Sequence, residues 1–147
     1  MGNNLNTAMQ IEKLLSRNLK RAYNIMHVNT NKLFREFEIT VAQFDLMETI
    51  LLSRDQALSI QDISSGTVSL QPNTTRMVAE LENLGLVKRS SGSDRRTVIV
   101  KITARGKQLV SEIQKPLLDL HKSQYKSLTD NELNDLNELL IKISKPD

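Results

Sequence analysis

The hydrophobic period of the chain changes from helical to alternating at Gly85, and this change restricts the possible folds more than any other feature. Beyond it, residues 86–89 and 97–102 alternate with the period of two that β-strands have, and they flank the turn-forming loop SSGSDRR. Helical spacing of apolar residues precedes Gly85 and returns after Thr103. The sequence therefore predicts a mostly helical fold that contains one small β-hairpin.

Six helices are predicted around the hairpin. The first covers residues 11–37, and apolar residues recur along one face for its whole length: Ile11, Leu15, Leu19, Ala22, Met26, Leu33 and Phe37. A chain of 147 residues is too small to cover so long a stripe, which favours a partner chain. The last helix is expected to bury a similar set: Leu136, Leu139, Leu140 and Ile143.

Short polar residues mark the beginnings of three helices. Thr40 with Gln43, and Thr129 with Glu132, have the spacing of capping boxes and predict where the second and last helices start. Ser59 is expected to introduce a short third helix over the next six residues.

Proline and glycine place the remaining helices. The fourth lies in the stretch SLQPNTTRMVAELENLGL, with Pro72 in its first turn and Gly85 as the left-handed residue that ends it. The fifth begins after Thr103 and contains Pro116, which is expected to bend it because a backbone hydrogen bond is lost.

Positive charge is concentrated in residues 71–107. The chain carries a formal net charge of +3, whereas this segment holds eight basic and three acidic residues, so that the remainder sums to −2. Arg95 and Arg96 lie side by side at the hairpin tip, where exposed cations need a partner outside the fold. A basic segment in a slightly acidic chain is typical of a polyanion site, although exposed basic residues are often only solvated surface.

The order helix, short helix, turn, helix and hairpin describes a winged helix-turn-helix. In this fold the second of two packed helices enters the DNA major groove, and the hairpin, or wing, reaches the backbone or the minor groove beside it. Arg95 and Arg96 would enter the minor groove, whose narrow walls concentrate negative potential. Asp94 would repel phosphate, and we expect it to pair with one of these arginines.

The end of the wing resembles the signature of the MarR (multiple antibiotic resistance regulator) family of dimeric transcription factors. The family pattern is Asp-x-Arg followed by Leu-Thr-x-x-Gly. It is similar to Asp94, Arg96, Ile102, Thr103 and Gly106, with isoleucine in place of leucine.

This resemblance extends over the whole chain and implies a single domain, 1–147. Within it, residues 38–107 form the winged helix-turn-helix, while 5–37 and 108–147 intertwine with those of a second copy. It also implies the function: a homodimer that binds double-stranded DNA at an inverted repeat, most often as a repressor released by a ligand.

Candidate base-reading residues lie at the start of the fourth helix, where free N–H groups and the helix dipole favour phosphate. Five polar side chains are expected to face outward there: Gln71, Asn73, Thr74, Thr75 and Arg76. Asparagine suits adenine, threonine a thymine methyl, and arginine a guanine or a phosphate. The stretch is also an ordinary helix start, and this alternative stays open, above all for Gln71 and Asn73.

The resemblance also implies an effector, because MarR-like proteins commonly bind aromatic or phenolic ligands between their dimerisation and DNA-binding parts. Four residues are candidates for lining such a site: Tyr23, Met26, Phe44 and Met47. The alternative for each of them is an ordinary place in the core.

No cofactor, metal site or catalytic centre is predicted. The chain has no cysteine, and its two histidines, His27 and His121, are far apart and lack further ligands at metal-binding spacing. Neither a nucleophile triad, a glycine-rich phosphate loop nor paired carboxylates occur, so we do not expect an enzyme. Without a long apolar run or a secretory signal, we expect a soluble, cytoplasmic protein with no membrane partner.

Two other functions remain open at this point. A winged helix can act as a protein-interaction adaptor, but an adaptor has no need of Arg95 and Arg96. A small-molecule-binding protein without DNA function would need convergent polar groups, and no such set is evident in the sequence.

Overall fold

In the computed structural model, the chain folds into six helices and a three-stranded antiparallel sheet over the residues that the structure describes, 2–66, 73–94 and 96–145, with side chains from Gln10 onward. The helices are α1 (Gly2–Arg35), α2 (Val41–Leu52), α3 (Ile60–Gly66), α4 (Thr74–Asn83), α5 (Ala104–Gln124) and α6 (Asp130–Ser144). The strands are β1 (Ala57–Ser59), β2 (Val87–Ser91) and β3 (Val98–Ile102). The predicted fold, mostly helical with a β-hairpin, is confirmed.

The sheet has the strand order β1-β3-β2, so β3 is central. The hairpin pairs Val87 with Ile102 at its base and Ser91 with Val98 near its tip. On the other edge of β3, Ala57 lies opposite Lys101. The sequence analysis missed β1, because three residues are too few to show alternation and their partner is distant in the chain.

The predicted helix caps are confirmed. Thr40 Oγ1 accepts a hydrogen bond from the Gln43 backbone at 3.1 Å, and the Thr40 backbone donates to Gln43 Oε1 at 2.9 Å. Thr129 and Glu132 form the same reciprocal pair at the start of α6. Gly85 has a φ of 73°, the left-handed conformation that glycine adopts without steric cost after a helix.

The boundaries of α1 differ from the prediction. Helix α1 starts at Gly2 rather than residue 11 and ends at Arg35, because turn conformation sets in before Phe37. Helix α4 starts at Thr74, and the predicted place of Pro72 in its first turn lies outside the described residues. Helix α5 begins directly after Thr103, as predicted, and continues through Pro116 as one element; the bend at Pro116 stays a prediction.

The hydrophobic core lies between residues 34 and 113, where α2, α3, α4 and the sheet pack against the end of α1 and the first half of α5. Among the described residues, fifteen buried apolar side chains build it: Phe34, Ile39, Phe44, Leu46, Met47, Ile50, Ile63, Val78, Leu81, Leu86, Val87, Val100, Ile102, Val110 and Ile113. The rings of Phe34 and Phe44 meet edge to face with centroids 5.2 Å apart. This core holds the helix-turn-helix and the hairpin in one unit.

Helix α6 and most of α1 leave their apolar residues uncovered. Helix α6 has no buried residue, and five of its apolar side chains are 36–65% exposed: Leu136, Leu139, Leu140, Ile141 and Ile143. The prediction that α6 buries these leucines and Ile143 is therefore wrong for a single chain, since no described element covers that face. Ile11, Leu15 and Leu19 of α1 are exposed in the same way.

Candidate nucleic-acid interface

The start of α4 presents three polar side chains to solvent. Asn73 is the N-cap residue, yet its side chain makes no capping hydrogen bond and is exposed. Thr75 and Arg76 are exposed on the first turn. The outward placement predicted for these three residues is confirmed, while Gln71 lies outside the described residues.

Thr74 does not face outward, and that part of the prediction is wrong. Its exposed fraction is 7%, and its hydroxyl oxygen accepts a hydrogen bond from Ser64 Oγ at 2.9 Å. Thr74 lies one turn before Val78 and two turns before Leu81, so it shares the core face of α4 with them. The helical period contained this signal, whereas the polar character of threonine concealed it.

Arg76 takes part in a polar chain that sequence reasoning missed. Its Nε donates to Glu80 Oε1 at 2.9 Å, and the other carboxylate oxygen, Oε2, accepts from Gln43 Nε2 at 3.1 Å. The pair Arg76–Glu80 is recognisable from its spacing of four residues on a helix. The contribution of Gln43 was not recognisable, because it comes from α2, 37 residues away.

Asp94 shapes the tip of the wing. Its Oδ1 accepts a hydrogen bond from the Arg96 backbone at 3.1 Å, and its carbonyl accepts from the Thr97 backbone at 2.9 Å. No ion pair joins Asp94 to the exposed Arg96 in the described structure, so a pairing of Asp94 with one of the two arginines stays a prediction for Arg95. Aspartate commonly binds the N–H two residues ahead, which is a shorter reach than a guanidinium requires. Arg95 lies outside the described residues.

The wing and α4, the helix predicted to enter the major groove and here called the recognition helix, face each other across a cleft of about 370 Å³. Thr75 of α4 and Arg96 of the wing line it together with residues of β1, α3, the hairpin loop and β3: Ser59, Ile60, Gln61, Thr97 and Val98. The fold thus brings a predicted base-reading residue and a predicted groove-reaching cation to the same opening. Gln61, at the start of α3, joins them although the sequence analysis did not single it out.

An ion pair fastens the wing to the end of α4. Glu82 accepts from the Arg89 backbone at 2.8 Å and from its Nε at 2.6 Å. These two hydrogen bonds from Arg89, with its positive charge, lower the pKa of the Glu82 carboxyl below its ordinary value. Because Arg89 lies on β2, this pair fixes the strand against the recognition helix.

Thr103 and Gly106, which follow the wing, hold α5 against the turn after α4. We call this contact the joint. Thr103 caps α5 by accepting from the Gly106 backbone at 3.0 Å, and its hydroxyl donates to the Gly85 carbonyl at 2.8 Å. A Cβ on Gly106 would collide with the Leu86 carbonyl oxygen and lie 2.8 Å from Ile102 Cγ1. Threonine and glycine are therefore required here by the close approach of α5 to the turn after α4.

A second cavity, of about 470 Å³, lies between α1 and α2. Two of the four predicted effector-site residues, Tyr23 and Met26, line it with seven others: His27, Thr30, Asn31, Thr40, Val41, Ala42 and Asp45. Phe44 and Met47 do not line this cavity. Both are buried in the core, the alternative considered for them, because they lie on the opposite face of α2.

The wall of this cavity combines aromatic and acidic groups. The rings of Tyr23 and His27 stack with centroids 5.3 Å apart. Burial, and to a smaller extent the neighbouring Glu48 carboxylate, raises the pKa of Asp45 above its ordinary value. The cavity can therefore offer a ligand both an aromatic surface and a carboxyl group.

Two kinds of feature are absent from the described part of the chain. Along the described residues, no helix combines the length and the apolar content that crossing a membrane requires. The same part of the chain contains no group of three side chains arranged to hold a metal ion.

Comparison with known proteins places these features in one family. The model of the MarR family matches residues 39–98. The transcriptional repressor MprA of Escherichia coli K12 is 24% identical over 133 residues, covering 90% of this chain and 76% of that protein.

Two solved structures are similar to this chain in both fold and sequence. A mutant of MarR from Escherichia coli, complexed with operator DNA, is 27% identical, with a TM-score of 0.79 and coverage of 89% of this chain and 94% of that one. BpsR of Bordetella bronchiseptica, whose DNA binding is regulated by 6-hydroxynicotinic acid, is 26% identical, with a TM-score of 0.81 and coverage of 90% and 94%.

Proposed function

The chain belongs to the MarR family of transcriptional regulators, which are not enzymes, and on this premise we propose that it is a homodimeric repressor that binds an inverted-repeat operator in double-stranded DNA. It acts in the cytoplasm as a single domain, 1–147, in which residues 38–107 contact DNA. The observation that carries this proposal is the cleft where Thr75 of the recognition helix and Arg96 of the wing meet.

The recognition helix supplies the base contacts in this proposal. Asn73, Thr75 and Arg76 are exposed on one end of α4, and residues of these types suit adenine, a thymine methyl and guanine. Gln71 would extend the set toward the preceding loop. Thr74 is excluded as a base contact in this arrangement, because its hydroxyl is held against Ser64 inside the fold.

The wing supplies contacts beside each half-site. Arg95 and Arg96 follow Asp94, which orders the turn through the Arg96 backbone rather than through its side chain. Guanidinium groups fit the minor groove because they are planar and weakly hydrated. In the proposed role, Asp94 fixes the course of the backbone, and the two arginines meet the DNA.

The dimer follows from the apolar faces that one chain leaves uncovered. Residues 5–37 and 108–147 contain most of α1, most of α5 and the whole of α6, and their exposed apolar side chains need a covering surface. A second copy offers the same surface in two-fold symmetry. Such a dimer presents two recognition helices, as an inverted repeat requires.

The cavity between α1 and α2 is the proposed effector site. It lies where the DNA-binding part joins the dimerisation helices, and a small aromatic ligand fits its lining of Tyr23, Met26 and the stacked His27. Regulation of the related BpsR by 6-hydroxynicotinic acid supports a small aromatic or phenolic effector for this chain as well.

The test is selection of bound sequences from random duplex DNA, followed by footprinting of the winning sequence and of the DNA upstream of the gene itself. We expect an inverted repeat whose half-sites lie about one helical turn apart. A pool that shows no sequence enrichment after selection would leave the adaptor and the ligand-binding protein as the surviving functions.

A salt titration tests the wing separately. Replacing Arg95 and Arg96 by alanine removes four cations from a dimer, so the slope of log affinity against log salt should become shallower by up to about four units. Lys122→Ala with Lys126→Ala, which removes the same charge from exposed positions in the last turn of α5 and just after it, is the matched control. An equal change in both double variants would show that the wing makes no specific contact.

A further inference from the structure

The guanidinium of Arg76 is held in place before any DNA is present. Its side chain is 74% exposed, yet Nε donates to Glu80 Oε1 at 2.9 Å. An isolated ion pair of this kind on a helix surface is common and weak. What distinguishes this one is that the second carboxylate oxygen, Oε2, is held as well, by Gln43 Nε2 at 3.1 Å.

Gln43 has little freedom to leave Glu80. Its exposed fraction is 8%, and its Oε1 accepts from the Thr40 backbone at 2.9 Å as part of the capping box of α2. Since the amide oxygen is engaged by the cap, the amide nitrogen is left to point at Glu80. The carboxylate is thus fixed from a different helix, and it fixes Arg76 in turn.

We infer that Gln43 and Glu80 are positioning residues for DNA reading, which set the rotamer of Arg76 and so raise the preference of the protein for its operator over other DNA. This inference rests on the proposed DNA-binding function. Ordering a long side chain in advance removes a cost of binding that a mobile arginine would carry. DNA that offers Arg76 no base partner gains nothing from this ordering, so the operator is favoured.

The variant Gln43→Glu isolates this role from that of the helix cap. Glutamate is as suitable as glutamine at this position of a capping box, so the bond from the Thr40 backbone can persist. Toward Glu80, however, the donor is replaced by a second carboxylate, which repels it. We expect the ratio of operator affinity to random-DNA affinity to fall by about 3- to 10-fold per half-site.

Adding Glu80→Gln to Gln43→Glu provides the rescue. The two changes together exchange amide and carboxylate, which restores one donor and one acceptor to the pair at unchanged net charge. We expect this double variant to recover most of the lost ratio. The control Gln114→Glu, which adds the same charge on the exposed face of α5, should leave the ratio unchanged.

If Gln43→Glu fails to fold, Glu80→Ala answers the same question at a partly exposed position. Glu80→Ala should lower the ratio in the wild-type background and have no further effect beside Arg76→Ala, because Glu80 acts through Arg76. A loss of equal size in both backgrounds, or an unchanged ratio in every variant, would overturn the inference. Failure of the wild-type protein to prefer any selected sequence would instead refute the proposed function itself.

Discussion

The winged helix-turn-helix together with its core, residues 34–113 and here called the winged-helix region, buries leucine and isoleucine side chains, whereas the flanking helices expose such side chains. In the first, leucine and isoleucine at helical spacing are buried, as Leu46, Ile50 and Leu81 are, each with an exposed fraction of 0%. In α6, Leu139 and Ile143 at the same spacing are 60% and 65% exposed. Apolar periodicity therefore predicts a helix and its apolar face in both regions, but it does not say which molecule covers that face.

This difference separates folding from assembly. The winged-helix region satisfies its own apolar residues and its own helix ends, so it has a core within one chain. The flanking helices have good caps, such as the Thr129–Glu132 box, but lack a covering surface among the described residues. We therefore expect substitutions in the two regions to act on different equilibria.

The largest effect should come from placing charge on the uncovered face of α6. Leu139→Arg with Ile143→Arg puts cations where the proposed dimer is apolar, and burying them unpaired is too costly for association. Sedimentation at low micromolar concentration should show monomers. Operator affinity should fall by about 10²- to 10⁴-fold, the gain that linking two binding modules gives.

Glu138→Arg, a charge change on the same helix at a residue that is already charged, is the control for this variant. A wild-type protein that sediments as a folded monomer would refute the dimer and, with it, the assignment of the apolar faces to assembly.

A truncation in the core should have the next largest effect and should act on folding alone. Leu46→Ala removes a fully buried side chain, at a cost of about 2 to 5 kcal/mol in the free energy of unfolding. Leu52→Ala at the exposed end of the same helix should change it by about 0.5 kcal/mol or less. Urea unfolding at two protein concentrations provides the measurement.

Leu139→Ala, measured in the same titrations, distinguishes a substitution in the proposed dimer interface from one in the core. Its cost should depend on protein concentration, because it acts on the proposed dimer, whereas that of Leu46→Ala should persist undiminished at both concentrations. Identical behaviour of the two variants would mean that one equilibrium governs both regions.

Gly106→Ala tests how tightly the winged-helix region is built. The added methyl group would meet the Leu86 carbonyl, so α5 must shift, and we expect a loss of about 1 to 3 kcal/mol in unfolding free energy. Ser111→Ala on the exposed side of the same helix is the control and should stay near the wild-type value. Full stability of Gly106→Ala would show that α5 can move away from the turn after α4 at no cost in free energy.

The smallest effect concerns one carboxylate in each region. Hydrogen bonds from Arg89 lower the pKa of Glu82, and hydrogen bonds from Thr129 lower the pKa of Glu132, in both cases from an ordinary value of 4.5. The unfolded chain therefore binds more protons, so this part of the stability is present above pH 4.5 and is lost as the pH falls through the lowered values.

Substitution by glutamine should flatten the pH dependence in each case, as measured by melting temperature against pH. Added salt should weaken the contribution of Glu82, which includes an ion pair, more than that of Glu132, which is bonded to an uncharged threonine. Equal salt sensitivity would contradict these causes.

Local signals in the sequence predicted most of the fold. Capping boxes, Gly85 and the change of period depend on neighbouring residues, so they were visible without a structure. Strand β1 and the contact of Gln43 with Glu80 depend on residues far apart in the chain, and nothing local indicates them.

The candidate site was also predictable only where the signal is local. Exposure of Asn73, Thr75 and Arg76 followed from their place on the helix, but Thr74 was misplaced because its polarity was given more weight than its period. Phe44 and Met47 are candidates for the effector site in the sequence but lie in the core of the structure. The sequence does not distinguish an apolar residue that lines a cavity from one that lies in the interior.

The joint at Thr103 has a mechanical consequence for the proposed dimer. Thr103 binds the turn after α4, and Glu82 of α4 binds Arg89 of the wing, so α4 and the wing of one protomer are joined as a rigid body. Regulation of the proposed dimer would therefore change the distance between the two rigid bodies and not the shape of either one. Successive major grooves on one side of DNA lie about 34 Å apart, and a dimer whose recognition helices have any other spacing can bind only one of them at a time.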